Sequence, residues 1–155
     1  MLAEEASATK QGGQELVGGL DVKVLRNRYG TQIQSFVADL DLPFLQEETP
    51  SDKVEQQSPF RGVFIRAPVV EEIIGDSSAG ETDAKKTPVE VLGVFRRKPA
   101  AAEGKGGEED IVAVRQRNVF GTSFHPELTQ DIRIHVWWLK QVVDAVRTNS
   151  TQLPN

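Results

Sequence analysis

Residues 121–135, GTSFHPELTQDIRIH, place a histidine and a glutamate on either side of one proline. Pro126 biases His125 toward extended backbone angles, and residues two apart in an extended segment point to the same side. Glu127 is therefore expected to reach the His125 ring. A carboxylate bonded to one ring nitrogen orients the imidazole and leaves the other nitrogen free as a general base, which is the orienting half of a catalytic triad.

The same spacing also fits a purely structural arrangement. A histidine can be satisfied at a strand-to-helix turn, with Glu127 near a helix start where the dipole favours negative charge. From the spacing alone this structural interpretation is favoured. His125 and His135 lie ten residues apart with neither a cysteine nor a carboxylate cluster beside them, so they do not form a metal-binding motif.

Two elements must position these residues. Residues 118–124, NVFGTSF, are uncharged and rich in β-branched and aromatic types, which predicts a buried central strand that ends near His125. Thr129 is a plausible N-cap for an amphipathic helix over 130–147. Apolar residues at helical spacing are expected to pack this helix on a sheet: Ile132, Val136, Leu139, Val143 and Val146. Trp137 and Trp138 are expected to be packing residues too.

Further strands are predicted by alternation and by β-branched composition, at 20–27, 34–40, 61–70, 89–95 and 110–116. The first two are joined by a stretch containing RYG and are expected to form an antiparallel pair, and the third stops at Pro68. Residues 1–19 look helical at first and then loop-like. The composition of three polar segments is typical of surface loops: 46–59, 75–88 and 97–109. Together with the predicted helix, these strands predict an α/β domain.

Composition excludes several classes of function. With 155 residues the chain forms one domain, and a net charge of −5 without a basic cluster gives no site for nucleic acid or for an anionic membrane. The absence of cysteine excludes disulfides, thiolate metal sites and a cysteine nucleophile within this chain. No signal peptide or bilayer-spanning stretch is evident, which predicts a soluble cytoplasmic protein.

The stretch GTSFHPEL resembles the class I glutamine amidotransferases, whose triad runs Cys, His, Glu with one residue between the last two. Three longer segments, 19–40, 60–72 and 112–135, are similar to the glutaminase subunits of pyridoxal 5′-phosphate synthase, the vitamin B6 enzyme. The resemblance covers nearly the whole chain outside the three polar segments. Several motifs in the right order are more specific than HPE alone.

This resemblance implies an α/β three-layer domain that hydrolyses glutamine to glutamate and ammonia without a cofactor. It makes His125 the acid and base and Glu127 its orienting carboxylate. It also assigns glutamine binding to Arg26, Ile65 and Arg66, and a guanidinium is well suited to hold an α-carboxylate. The implied partners are L-glutamine and the synthase subunit.

The chain departs from the family at its beginning. Family members carry a Gly-Thr-Cys-Ala-Gly-Leu nucleophile elbow upstream of a stretch resembling LAEEASATKQGG, so residues 1–155 are expected to be the C-terminal portion of one domain. Met1 would then lie in the helix after the elbow, and apolar surface would remain exposed where the inner strands belong. A truncated gene model, an alternative start and a fragment each explain this departure.

Two rival functions stay open. A serine hydrolase would use Ser77 of GDSSAG with Asp110 and His125, but one extra residue separates Ser77 from the second glycine and a polar segment follows. Alternatively, a non-catalytic short form could dock on the synthase subunit without delivering ammonia. An in-frame elbow motif upstream of Met1 would favour the enzyme.

Overall fold

The structure is a computed structural model that describes residues 1–7, 15–26, 35–46, 58–74, 87–97 and 108–151, with side chains to residue 148. Two 3-10 turns, at Pro43–Leu45 and Pro126–Leu128, accompany the strands and the helix of these segments. The strands are β1 (Ala3–Ser7), β2 (Leu20–Leu25), β3 (Ser35–Leu40), β4 (Phe60–Ile65), β5 (Val69–Ile73), β6 (Glu90–Arg96), β7 (Glu109–Gln116) and β8 (Val119–Thr122), and the helix is α1 (Arg133–Thr151). The expected α/β class is confirmed.

The strands form two sheets. The larger has the order β1-β2-β5-β7-β6, with β8 paired to β7, and the smaller pairs β3 with β4. Only the β1–β2 pair is parallel among these described pairs. Because antiparallel neighbours need only short connections, β7 can turn directly into β8 at Arg117, which adopts a φ of 55°.

Aromatic side chains join the two sheets and the helix. Phe124, just after β8, packs on Phe60 and Phe64 of β4 at ring-centroid distances of 5.6 and 5.7 Å. On the other side of this core, Trp137 of α1 meets Phe44 edge-on at 4.6 Å. Such contacts add about 0.5–1.5 kcal/mol each to the area they bury, so this cluster fixes where β8 ends.

Four predicted strands are confirmed with small changes of boundary. The predictions at 20–27, 34–40, 89–95 and 110–116 correspond to β2, β3, β6 and β7. Most of the three polar segments predicted as surface loops lies outside the described residues.

The predicted pairing of 20–40 is wrong. β2 pairs with β1 and β5, whereas β3 pairs with β4 in the smaller sheet. The single strand predicted at 61–70 is also wrong, because the chain bends at residues 66–68 and separates β4 from β5. Alternation showed that these segments are strands, but it carries no information about which strand pairs with which.

Residues 1–19 do not begin as a helix. Residues 3–7 form β1, which runs parallel to β2, and Ala3 is buried between the strands. The return to β2 uses Gly18 and Gly19 at φ values of 77° and 107°, a region that glycine adopts without strain. Sheet pairing has overridden the helical preference of AEEAS.

The strand before His125 is shorter and less central than predicted. β8 covers four residues, all of them half-buried, and pairs with β7 alone in the part of the chain that the structure describes. Residues 123 and 124 continue past the strand, and the Ser123 N–H donates to Val112 O at 2.8 Å. The prediction of a central strand at 118–124 is therefore wrong for these residues.

The helix is present, but its predicted packing face is wrong. Ile134 and Trp137 are buried, while the residues predicted to pack are 40–66% exposed: Ile132, Val136, Leu139, Val143 and Val146. Ile134, Trp137 and the half-buried Trp138 lie on another side of α1, and their larger surfaces gain more from burial. The two tryptophans are packing residues, as predicted.

The helix also begins later than predicted. The predicted N-cap, Thr129, accepts from the Asp131 N–H at 3.3 Å, and the Asp131 carboxylate then accepts from the Arg133 N–H at 3.1 Å at the first turn. The Arg133 side chain also donates to Asp131, and this contact lowers the pKa of the Asp131 carboxyl. Asp131 satisfies an orphan amide that Thr129 cannot reach.

Replacing Trp137 by Ala should lower the free energy of unfolding by about 3–5 kcal/mol, because the aromatic core would lose a buried side chain. Leu139→Ala, on the exposed side of the same helix, should change it by no more than about 0.5 kcal/mol. Urea unfolding followed by circular dichroism measures both. A larger loss for Leu139→Ala than for Trp137→Ala would show that the predicted face, and not the observed one, packs on the sheet.

Candidate active site

His125 and Glu127 are in direct contact. The His125 Nδ1 atom lies 2.8 Å from Glu127 Oε1, with both side chains partly open to solvent. Extended geometry was expected to produce this contact, but only His125 is extended, and Glu127 sits in the 3-10 turn Pro126–Leu128. The turn is closed by the Thr129 N–H, which donates to Pro126 O at 3.3 Å. Pro126 favours this turn because its fixed φ suits a first helical position.

The contact determines which ring nitrogen carries hydrogen. A carboxylate can only accept, so Nδ1 is the donor and Nε2 of a neutral ring is left with its lone pair. The His125 side-chain hydrogen bond, followed by a bond from the Glu127 backbone N–H, holds the pKa of the Glu127 carboxyl below its ordinary value. This arrangement suits a base that must accept a proton at Nε2.

Hydrogen bonds and the burial of the preceding residue hold the backbone of His125 in place. Its N–H donates to the Val63 carbonyl of β4 at 2.8 Å, and the preceding Phe124 is buried in the aromatic core. The Thr122 hydroxyl donates to Phe124 O at 2.8 Å and closes the backbone after β8. Sequence reasoning missed Val63, because every residue type has a backbone carbonyl and this contact therefore does not require any particular side chain.

Ile65 and Arg66 lie at the end of that same β4 strand. Ile65 is the last residue of the strand, and Arg66 follows with a φ of 46°, a left-handed conformation that costs a non-glycine residue roughly 1–3 kcal/mol. Ala67 and Val69, buried on the far side of the bend, hold the chain there. Both predicted residues are exposed, so the bend presents them to solvent.

Arg26 follows β2 and lies across from this bend. Leu25 pairs with Val69 in the β2–β5 ladder, which sets Arg26 beside the start of β5 and hence beside residues 66–68. The Arg26 N–H also bonds to Ser7 O of β1 at 3.4 Å. Backbone pairing thus links the Arg26 segment to the Ile65–Arg66 bend, and β4 links that bend to His125. The roles of these side chains remain predictions.

Three grooves among the described residues lie elsewhere. Their volumes are about 240, 330 and 420 Å³, and none is lined by His125, Glu127, Arg26 or Arg66. The groove of 330 Å³ reaches Thr122 and Ser123, just before His125, and its walls are mainly apolar.

The serine-hydrolase alternative gains no support from the described residues. The carboxylate on His125 is that of Glu127, whereas Asp110 is buried and pairs with Arg97 at 3.0 Å. Ser77 lies outside the described residues.

Neither a metal cluster nor a membrane-spanning helix is found in the described segments. No three His, Asp or Glu side chains there are grouped as metal ligands. No helix there is long and apolar enough to cross a membrane.

The sequence profile of the SNO glutamine amidotransferase family matches residues 2–144. The chain therefore belongs to the SNO glutamine amidotransferase family. A crystal structure titled as that of a glutamine amidotransferase superposes with a TM-score of 0.55 at 34% identity, over 90% of this chain and 53% of that one. This assignment agrees with the resemblance carried by GTSFHPEL.

Two curated relatives are both named as subunits of pyridoxal 5′-phosphate synthase. The chain is 41% identical to "Probable pyridoxal 5′-phosphate synthase subunit PDX2" of Arabidopsis thaliana, over 90% of this chain and 52% of the relative. It is 38% identical to pyridoxal 5′-phosphate synthase subunit PdxT of Kosmotoga olearia, over 84% of this chain and 50% of the relative. The chain thus spans about half the length of these relatives.

Changing His125 to Ala should raise the pKa of Glu127 toward its ordinary value of 4.5, because the hydrogen bond that favours the ionised carboxylate is lost. Carbon-detected NMR titration of the Glu127 carboxyl measures it. A lowered pKa contributes stability above the ordinary carboxyl pKa, and this contribution fades as pH falls through the lowered value. The exposed pair makes that contribution small. An unchanged Glu127 pKa in the variant would show that the contact is absent in solution.

Proposed function

We propose that this chain carries the histidine and glutamate of a glutaminase, and that it takes part in hydrolysing glutamine to glutamate and ammonia for pyridoxal 5′-phosphate synthesis. The observation that carries the proposal is the 2.8 Å contact of His125 Nδ1 with Glu127 Oε1, which leaves Nε2 as the base. Family membership and the names of the curated relatives support the same chemistry.

His125 has two proton transfers to perform. At Nε2 it takes the proton from a thiol, whose sulfur attacks the side-chain amide carbon of glutamine. The resulting imidazolium gives that proton to the nitrogen of the tetrahedral adduct, the C–N bond breaks, and ammonia departs to leave a thioester. Nε2 next removes a proton from water, which attacks the thioester and yields glutamate while the thiol regains its hydrogen. Glu127 stabilises the positive ring in both stages.

The thiol must come from outside these residues, because the chain contains no cysteine. A non-catalytic role is therefore the second candidate: a chain that binds the synthase subunit without hydrolysing glutamine. The same absence of cysteine favours it. The two candidates differ in whether His125 ever meets a thiol.

In this proposal, glutamine binds at the exposed Ile65–Arg66 bend and at the end of β2. A guanidinium from Arg26 or Arg66 forms a paired hydrogen bond with the α-carboxylate, and backbone groups at Ile65 receive the amino end. The left-handed φ of Arg66 supports this role, since strained backbone is concentrated at binding sites. The ammonia passes to the synthase subunit. The hydrolysis of glutamine takes place in the cytoplasm.

The 155-residue chain alone should release no ammonia from glutamine above background. Fused to the half of the Kosmotoga olearia relative that it does not match, it should gain glutaminase activity. In that fusion protein, His125→Ala should lower kcat/KM by about 10⁴-fold or more, and Glu127→Gln by roughly 10²–10⁴-fold. Glutamate production measures both, with the synthase subunit present.

The matched control is His135→Ala, since His135 is an exposed residue of α1. It should leave kcat/KM within about twofold of the parent fusion. Activity that survives His125→Ala, or glutamate release by the short chain alone, would show that the chemistry is wrongly assigned. A fully folded but inactive fusion would favour the non-catalytic candidate.

A further inference from the structure

The position of the Glu127 carboxylate depends on the backbone turn that carries it. The carboxylate contacts His125 at 2.8 Å, but the Glu127 side chain is 58% exposed, so packing against the core does not hold it. The turn itself is the 3-10 segment Pro126–Leu128. So short a turn is only marginally stable alone, because few hydrogen bonds compensate for the ordered backbone. The contact with His125 therefore requires support for this turn from residues outside it.

Three half-buried residues after the turn form a chain of hydrogen bonds, called here the turn brace: Thr129, Asp131 and Arg133. The Thr129 hydroxyl donates to Pro126 O at 3.1 Å and bonds the end of the turn to its first residue. The same oxygen accepts from the Asp131 N–H at 3.3 Å. A hydroxyl can do both, since it has one hydrogen and two lone pairs. The turn is thus bonded to the segment that leads into α1.

The turn brace ends on β4. Arg133 Nε lies 3.0 Å from each carboxylate oxygen of Asp131, and Nη2 lies 2.6 Å from Oδ2. The guanidinium carbon of Arg133 stands 5.9 Å from the centre of the Phe60 ring, within the range of a cation–π contact. Phe60 is the first residue of β4 and is only 1% exposed. The guanidinium therefore packs on a fixed part of the core.

The two members of the catalytic pair are tied to this one strand by separate routes. The His125 N–H bonds directly to Val63 O of β4, whereas Glu127 reaches Phe60 through the turn and the turn brace. Loosening the second route would move Glu127 relative to His125 and would leave His125 in place. A displacement of roughly 1 Å is enough to break the contact, because a separation near 3.6 Å is no longer a hydrogen bond.

We propose that the turn brace positions the Glu127 carboxylate against His125 Nδ1, so that Nε2 stays free as the base. A helix cap explains only the bond from the Arg133 N–H to Asp131. It requires neither the hydroxyl bond back to the turn nor the contact with β4. The importance of the turn brace for hydrolysis rests on the proposed function, whereas the first test is made without glutamine.

That test uses nitrogen NMR of the 155-residue chain, which reports which ring nitrogen of His125 carries hydrogen. Wild type should carry it on Nδ1. Thr129→Val keeps the side-chain shape and removes the hydroxyl, so it should produce a mixture of both tautomers. The same variant should raise the pKa of Glu127 toward 4.5, because the hydrogen bond that lowers it is weakened. Thr129→Ser keeps the hydroxyl and should give both readings of wild type.

The matched control for the hydroxyl is Thr148→Val. The Thr148 hydroxyl also donates to a backbone carbonyl, Asp144 O at 2.9 Å, but it lies about four turns along α1 from Arg133. Its removal should change neither the His125 tautomer nor the Glu127 pKa.

The guanidinium is tested by Arg133→Lys in the same experiment. Lysine keeps the charge but cannot donate a fork of bonds to Asp131, so the tautomer mixture should shift in the same direction as in Thr129→Val. Arg147→Lys is the matched control, since Arg147 pairs with Asp144 at 3.9 Å on an exposed part of α1. It should give the readings of wild type.

The fusion protein shows whether positioning matters for the reaction. Thr129→Val should lower kcat for glutamine about 10-fold or more and change KM by less than about twofold, because the chemical steps need an oriented base and glutamine binding does not. Thr129→Ser should recover most of kcat. If the hydroxyl served stability alone, kcat per folded molecule would stay at the parent value.

Three results would overturn the proposal. The first is a wild-type tautomer and Glu127 pKa in both Thr129→Val and Arg133→Lys. The second is an equal change in Thr148→Val, and the third is an unchanged kcat in Thr129→Val. A shifted tautomer in both brace variants, with a parent fusion that does not hydrolyse glutamine, would instead support the positioning and contradict the proposed function.

Discussion

The backbone hydrogen bond from His125 to the Val63 carbonyl joins the two sheets at the point where chemistry is proposed. It spans from the end of β8 to β4, and the burial of Phe124 against Phe60 and Phe64 protects the junction from water. A hydrogen bond next to an apolar core is costly to break, because a polar group left unpaired there is poorly compensated by water. The backbone of His125 is therefore held in place, while its ring stays partly open to solvent.

The same β4 strand leads on to the residues proposed to bind glutamine. Two residues beyond Val63 the strand ends at Ile65, and the left-handed bend at Arg66 turns the chain into β5. The β2–β5 register then determines where Arg26 emerges. β4 thus connects His125, the bend at Arg66 and the segment that carries Arg26, so a shift of its register would displace all three together.

The helix shows that burial follows the available partners more than the hydrophobic pattern. Trp137 finds Phe44 and Phe120 in the core, at centroid distances of 4.6 and 5.1 Å. The aliphatic residues on the other side have no such cavity to fill within the described residues. A helix with two apolar sides can turn only one of them toward a given sheet, and the larger aromatic surface takes it.

By itself the sequence determined the α/β class, four strand positions, the helix and the His125–Glu127 contact, since alternation, helical spacing and proline act over a few neighbouring residues. Tertiary structure decided which strands pair and which face of the helix is buried. It placed residues 3–7 in a strand, split 61–70 at Arg66, left β8 with one partner among the described residues and turned the other face of α1 inward. These outcomes depend on contacts between residues far apart in the chain, whose energies no local pattern contains.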